Sequence, residues 1–324
     1  MSLSTLVVVA FTWVSISQVT DDQRLTREAQ ITDRYAAAAA NLGDDSKDVR
    51  LGALYALQRV AKDSDRDRPT IVSIIGAYIR SNAVKPKSPK HAILRSPDDI
   101  NAALDILGGL PSESTLDLSG TYLPFANLTG LSLTKANLQG AFLFGANLSG
   151  KDLTGARFQG AQLEEANMGR TDLSTADLSA ANLTRANLRG ANLADAGLLS
   201  VNLQGARLEG AQLVGADLSA TNLTAANLTR ANLRGANLAD VSLLNANLRD
   251  TNLTRANLGN ANAESADLRD AQLEGADLRD ANLTRAYLNR ANLTNAVLQG
   301  TNLTDANLGN AKVTKRQLEQ ATRP

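Results

Sequence analysis

From residue 118 to residue 313 an apolar side chain falls on every fifth position, with no slip of phase. Of the 40 positions so spaced, 36 are Leu, and the exceptions are Phe158, Met168, Ala263 and Val313. A second ladder lies two residues earlier, from 116 to 311, and Ala fills 30 of its 40 places. The residue between the two ladders is Asn or Asp in 27 of 40 repeats, 20 Asn and 7 Asp. A five-residue step turns about 500° on an α-helix and would scatter the leucines around the whole circumference. On a straight strand five is odd, so alternate leucines would face opposite sides. Ala and Leu, two apart, share one side of a short extended stretch. The chain must therefore corner once per repeat and keep that side inward, with the Asn and Asp satisfying local backbone groups and tolerating turn geometry.

The number of sides follows from the substitutions in the Ala ladder. Places with final digit 6 are all Ala apart from Leu116; the other exceptions, Thr121, Leu131, Lys151, Thr171, Val201, Thr221, Val241, Thr251 and Thr301, all have final digit 1. A ten-residue alternation requires an even number of repeats per turn. Two sides leave no room for leucines, and six leave a hollow they cannot fill at interior density. Four remains, which makes about ten coils at roughly 4.8 Å each. The expected fold class is an all-β solenoid over residues 114–313.

The remainder of the chain reads as helix. A first helix ends at Asn41-Leu-Gly43, and a second starts after Ser46 with Val49, Ala53, Leu57, Val60 and Ala61 at helical spacing. A third opens at Pro69 and carries Ile71, Ile74, Ile75, Tyr78 and Ile79. Together residues 21–84 form a small helical domain, followed by a Lys/Pro-rich linker at 85–95. Ser96-Pro97 opens a helix within 96–113, stopped at Gly108-Gly109 and suited to cover the first coil. Thr314 with Gln317 forms a capping-box pattern that opens a short helix at 314–324, suited to cover the last coil.

Residues 1–20 include the apolar run Leu6 to Val14. It is short for a spanning helix, which needs about 20 apolar residues, and it lacks the basic start of a secretory signal. Two readings stand: a membrane anchor through residues 3–19, or a buried or frayed N-terminal segment. As an anchor it would hold the chain at the inner face of the plasma membrane with the bulk cytoplasmic, because Arg24, Arg27 and Arg34 follow it.

The strings Ala186-Asn-Leu-Arg-Gly190 and Ala231-Asn-Leu-Arg-Gly235 resemble the pentapeptide-repeat family, and the resemblance extends over nearly 200 residues. It implies a right-handed quadrilateral β-helix with the central Leu and preceding Ala inside. The segment from Asp48 to Arg59 is similar to the helical N-terminal region of bacterial, membrane-linked members.

Charge then separates the candidate functions. Lys plus Arg and Asp plus Glu are 33 each, so no global field favours DNA. With no Cys and one His, His91, neither a thiolate site nor a histidine cluster can form. No triad or phosphate loop is present either, so neither an enzyme nor a cofactor is expected. Sorted by side, two adjacent faces carry 10 acids and 4 bases, and the other two carry 13 bases and 8 acids. Arg170, Arg189, Arg230, Arg249, Arg269 and Arg290 fall on one basic side and are the candidate partner-binding residues. Tyr122 and Phe142 stack 20 apart on another side, with Phe125 and Phe144 beside them. On a chain only 3% aromatic this is a candidate patch for docking of the helical domain, or else of a partner. The best reading is a rigid, non-enzymatic scaffold for an unidentified protein partner. The alternative, implied by the family's quinolone-resistance members, is a DNA mimic that binds gyrase or another topoisomerase. The 19 acids and 19 bases of residues 114–324 weaken it.

Overall fold

The structure is a computed structural model that describes residues 23, 26, 28–86, 96–111 and 115–321. The candidate anchor at 1–20 and most of the linker, 87–95, lie outside the described residues. The chain divides into two compact units, 1–75 and 76–324.

Unit 1 is helical. Helix α1 covers 28–41, α2 Lys47–Asp63, and α3 Arg68–Asn82 runs on into unit 2. The apolar spacing anticipated for α2 is the observed one: Ala53, Leu54, Leu57, Val60 and Ala61 are buried. Ser46 is its N-cap residue but makes no side-chain cap; the Asp44 carboxylate accepts the Ser46 N–H instead, at 2.8 Å. Among the described residues no helix is long and apolar enough to cross a membrane.

Unit 2 is the solenoid with its end pieces. Every observed bridge joins a residue to the one 20 further on, in parallel, from Asp117↔Asn137 to Asn292↔Lys312. Twenty residues are four repeats, so each coil has four sides. Each side contributes a single bridging residue per coil, and no continuous strand forms. The inward Leu and Ala are almost all 0–2% exposed from Leu118 to Leu293.

The backbone accounts for why five residues suffice. The Leu N–H bonds the next coil, as Leu228 to Asn247 O at 2.7 Å. The N–H two residues later does the same, as Arg230 to Arg249 O at 2.9 Å. The Ala N–H closes a turn onto the Leu three before it, as Ala231 to Leu228 O at 2.8 Å. The residue after Ala donates to the previous coil, as Asn232 to Ala211 O at 2.9 Å. This lattice uses four N–H groups of every five. The fifth belongs to the residue after Leu, and it is taken by a side chain. Each of the 27 Asn and Asp between the ladders places its Oδ1 on the N–H two residues ahead. The Asn/Asp preference is thus an acceptor requirement.

The expected turn tolerance of those residues is corrected. They are the extended, bridging positions. The left-handed backbone falls instead on final digits 0 and 5, where φ is +54° to +72° at 25 non-glycine and 13 glycine residues. A side chain there is strained, and the closed inter-coil ladder on either side holds it in place.

The inward exceptions are also accounted for. Thr121, Thr171, Thr221, Thr251 and Thr301 are buried, and each hydroxyl donates to a Leu or Met carbonyl at 2.7–3.0 Å. Lys151 sends its Nζ out to the Thr129 carbonyl, 3.0 Å away.

The two ends of the solenoid differ. At the first coil, α4 Asp98–Gly108 buries Ile100, Ala103, Leu104, Ile106 and Leu107. A Cβ added to its last residue, Gly108, would lie 3.1 Å from the Gly130 backbone, so glycine lets the helix end approach the coil more closely than a side chain would without the backbone shifting by a few tenths of an ångström. Beyond α3, the Ala83 carbonyl takes the Tyr122 N–H at 2.6 Å, in the place a preceding coil would fill. At the other end, α5 Lys315–Gln320 has the anticipated capping box, made by Thr314 and Gln317. The Gln317 Nε2 also donates to the Leu293 and Ala296 carbonyls, at 2.7 and 2.8 Å. The cover is partial: Leu303, Ala306, Leu308, Ala311 and Val313 remain half-buried. Six residues of helix reach only one corner of a four-sided end.

Candidate functional site

The inward positions are occupied by the lattice, so chemistry is left to outward side chains. On the side through Leu128 and Leu148, seven successive coils carry one arginine each: Arg170, Arg189, Arg207, Arg230, Arg249, Arg269 and Arg290. The structure places all six candidate arginines on this side and sorts them by partner. Arg290 grips Asp270, one coil away, through two bonds of 2.7 and 2.6 Å. Arg269 grips Asp267 within its own repeat, at 2.8 and 2.5 Å, and lies 5.7 Å from the Tyr287 ring centre. Glu209 sits between Arg189 and Arg207, at 3.9 and 3.8 Å. Arg249 adds only a longer-range attraction to Asp267 and Asp270. Arg170 and Arg230 have no ion-pair partner among the described residues. Exposed ion pairs of this kind contribute little to stability, about 0–1 kcal/mol each. They do lower the number of arginines open to a partner.

The aspartates of the slot between the ladders, on acidic and basic sides alike, serve the lattice instead. Asp217 is held below the ordinary carboxylate range by the Ser219 hydroxyl and N–H, and Asp152 likewise by Thr154. Burial pushes Asp177 up, but its bonds from Ser179 and Gln159 outweigh it.

The four aromatic candidates form one strip at the first two coils. Tyr122 and Phe142 stack with centres 4.6 Å apart, Phe142 and Phe144 with centres 6.4 Å apart, and Phe125 meets Phe144 edge-on at 5.2 Å. Phe125 lies over Gly145, where an added Cβ would be 2.5 Å from its ring, and it remains 46% exposed. Beyond Phe125, and missed by sequence reasoning, a cleft of about 650 Å³ opens between α4 and the first coil. Its lining includes Ser96, Asn101, Leu104, Asp105, Pro124 and Phe125. The walls are far apart in sequence, so no local pattern marks it. No group of carboxylates or histidines able to hold a metal ion occurs among the described residues.

A 20-residue, four-sided coil of A(N/D)LXX repeats with outward-facing charges defines a repeat-solenoid protein. Pentapeptide repeats match the chain in eight copies within residues 116–240 and 246–315. The chain belongs to the pentapeptide-repeat family. Among solved structures it is similar to HetL, a pentapeptide repeat protein involved in heterocyst differentiation regulation from the cyanobacterium Nostoc sp. strain PCC 7120. That match is 32% identical, spans 60% of this chain and 86% of HetL, and has a TM-score of 0.24. It is also similar to full-length QnrB1, a plasmid-mediated fluoroquinolone resistance protein, at 19% identity over 58% of this chain and 88% of that one, with a TM-score of 0.25. No curated protein sequence matches the chain.

Proposed function

We propose that the protein is a non-enzymatic, rigid scaffold that presents the long sides of a right-handed, ten-coil β-helix to a protein partner. In this reading residues 21–84 are the helical domain, 96–113 and 314–324 cap the solenoid, and residues 3–19 tether it to the inner face of the plasma membrane. One observation carries it. The lattice fixes the inward slots and one outward acceptor slot, while an arginine recurs on one face in seven successive coils. Such a face offers a basic side chain about every 4.8 Å. Its interleaved acids favour a patterned protein surface over the uniform charge of DNA.

Arg170→Glu, Arg230→Glu and Arg249→Glu remove the arginines least engaged by neighbouring acids. Capture of partners from native membranes should fall for this triple variant while its circular dichroism stays unchanged, and should also fall when residues 1–22 are deleted. Undiminished capture by the triple variant would retire the arginine face. A gyrase supercoiling assay, with and without a fluoroquinolone, tests the topoisomerase alternative; inhibition or protection would replace the scaffold reading with it.

A further inference from the structure

The cleft between α4 and the first coil combines groups that a plain packing defect would not. Ser96 is 7% exposed, and its hydroxyl has no hydrogen-bond partner. A buried hydroxyl in that state is unfavourable unless something fills the space beside it. Asn101 uses its Nδ2 on the Ser96 carbonyl at 3.0 Å, which leaves its Oδ1 able to accept. Asp105 is exposed and has no ion-pair partner among the described residues. Helix α4 carries Asp98, Asp99 and Asp105 and no basic residue. Of the three only Asp105 lines the cleft, and the Asp99 carboxylate is engaged at 2.6 Å by the Tyr78 hydroxyl, so Asp105 sets the charge there. Leu104, Pro124 and the Phe125 ring supply apolar walls.

Acceptors, one carboxylate, an aromatic face and an apolar wall together fit the side chain of a base. Its methylene stem would lie on Leu104 and Pro124, and its cationic head over Phe125 with donors toward Asp105, Asn101 and Ser96. An anion would be repelled by Asp105. A wholly apolar occupant would bury Ser96 and Asp105 without compensation. We propose that this cleft receives an arginine or lysine side chain of a protein partner, with the Phe144, Phe142 and Tyr122 strip supporting the residues next to it. The proposal rests on the scaffold reading and adds the chemistry of the partner.

The chain has five Phe, and of these Phe158 is 0% exposed in the solenoid interior. Full-length protein labelled with 3-fluorophenylalanine therefore reports the cleft through Phe125 and the intact fold through Phe158 in one fluorine NMR spectrum. Acetyl-Gly-Arg-Gly-amide should shift the Phe125 resonance saturably and leave Phe158 in place. The norleucine analogue should bind on the order of tenfold more weakly, as should the arginine peptide to Asp105→Asn. No saturable shift with the arginine peptide, equal shifts with norleucine, or unchanged binding by Asp105→Asn would each overturn the proposal. The scaffold reading fails separately. A partner held equally by wild type and by Asp105→Asn with Phe125→Leu removes the cleft and leaves the scaffold, whereas a protein that captures no partner at all removes both.

Discussion

Replacing Asn222, Asn227 and Asn232 with Ala in one coil tests whether the Asn slot is an acceptor requirement. Their Oδ1 atoms take the N–H groups of Thr224, Thr229 and Arg234 at 3.1, 3.1 and 3.3 Å, and Asn227 also takes the Thr229 hydroxyl at 2.6 Å. Two of the amides reach further: Asn222 donates to Asn202 at 3.2 Å and Asn232 to Gln212 at 3.1 Å. The Ala and Leu ladders and the backbone inter-coil bonds are untouched by the change, so the loss is confined to these side-chain contacts. At about 1 kcal/mol per net hydrogen bond, the triple Ala variant, which loses these six bonds, should lose roughly 6 kcal/mol. For a unit of this size that lowers the thermal midpoint by about 12–24 °C. The triple Asp variant keeps every Oδ1 and should recover most of the loss, since the residues one coil away at these sites are Asn202, Ser242, Arg207, Asn247, Gln212 and Asn252, none acidic. Amide hydrogen exchange gives the specific readout, because Thr224, Thr229 and Arg234 should lose protection in the Ala variant while Leu223, Leu228 and Leu233 keep theirs. If Ala and Asp variants melt together, or the three amides stay protected in the Ala variant, the acceptor argument is wrong.

Further predictions concern the interior, the end and pH. Ala263 is 2% exposed, and its inter-coil bond to Asn282 O is 2.8 Å, so the backbone has not closed over the missing Leu. Ala263→Leu should therefore stabilise by about 2–3 kcal/mol in urea unfolding, three extra carbons at roughly 0.8 kcal/mol each; a lowered midpoint would mean the space had already collapsed. Gln317→Ala removes both bonds that pin α5 to Leu293 and Ala296, and should increase proteolysis within 315–321 and concentration-dependent association seen by light scattering. Unchanged monomer at high concentration would argue against an end-covering role. Asp152, Asp177 and Asp217 are held below the ordinary carboxylate range in the folded chain. Their contribution is thus present above the unfolded value and lost as pH falls through the folded one, so urea midpoints should be level from pH 7 to about 4 and drop below that. A decline that begins above pH 5 would point to other groups.

Much of this fold was legible because the lattice is regular in one dimension. The period of five, the four sides and the capping box at Thr314 each follow from residue identities alone. The 20-residue coil also predicts ion pairs, since Asp270 with Arg290 and Glu165 with Arg185 are one coil apart in register. The left-handed position was harder to see. Gly, Asn and Asp are common there, but Arg, Thr, Ala, Ser, Lys, Glu and Phe occupy the same position, so the sequence marks it less sharply than it marks the two ladders. The incomplete cover at Leu303 and Leu308 depends on how far six helical residues reach, which sequence pattern does not measure. The Ala83 carbonyl at Tyr122 and the cleft beside Phe125 arise from chain that is distant in sequence, and no periodicity points to them.

A backbone this uniform offers a partner no register, because every coil presents the same bonds. Recognition must come from departures, and the most informative are the repeats that abandon the Asn slot. Tyr122 and Phe142 are two of these, stacked on one side. Position 124 is Pro, which has no N–H, so at Tyr122 the acceptor and the donor it would have served are both gone and the lattice loses nothing. At Phe142 the exchange is unbalanced: the Phe144 N–H has no acceptor among the described residues, and ring stacking on Tyr122 and Phe144 takes its place. A local rule broken without structural need marks a site with another task. The strip departs from the Asn slot in two successive coils and ends at a cleft with a buried hydroxyl that has no partner and a carboxylate with no ion pair among the described residues, so on the proposed reading this end of the solenoid would supply the register that the repeating arginine face lacks.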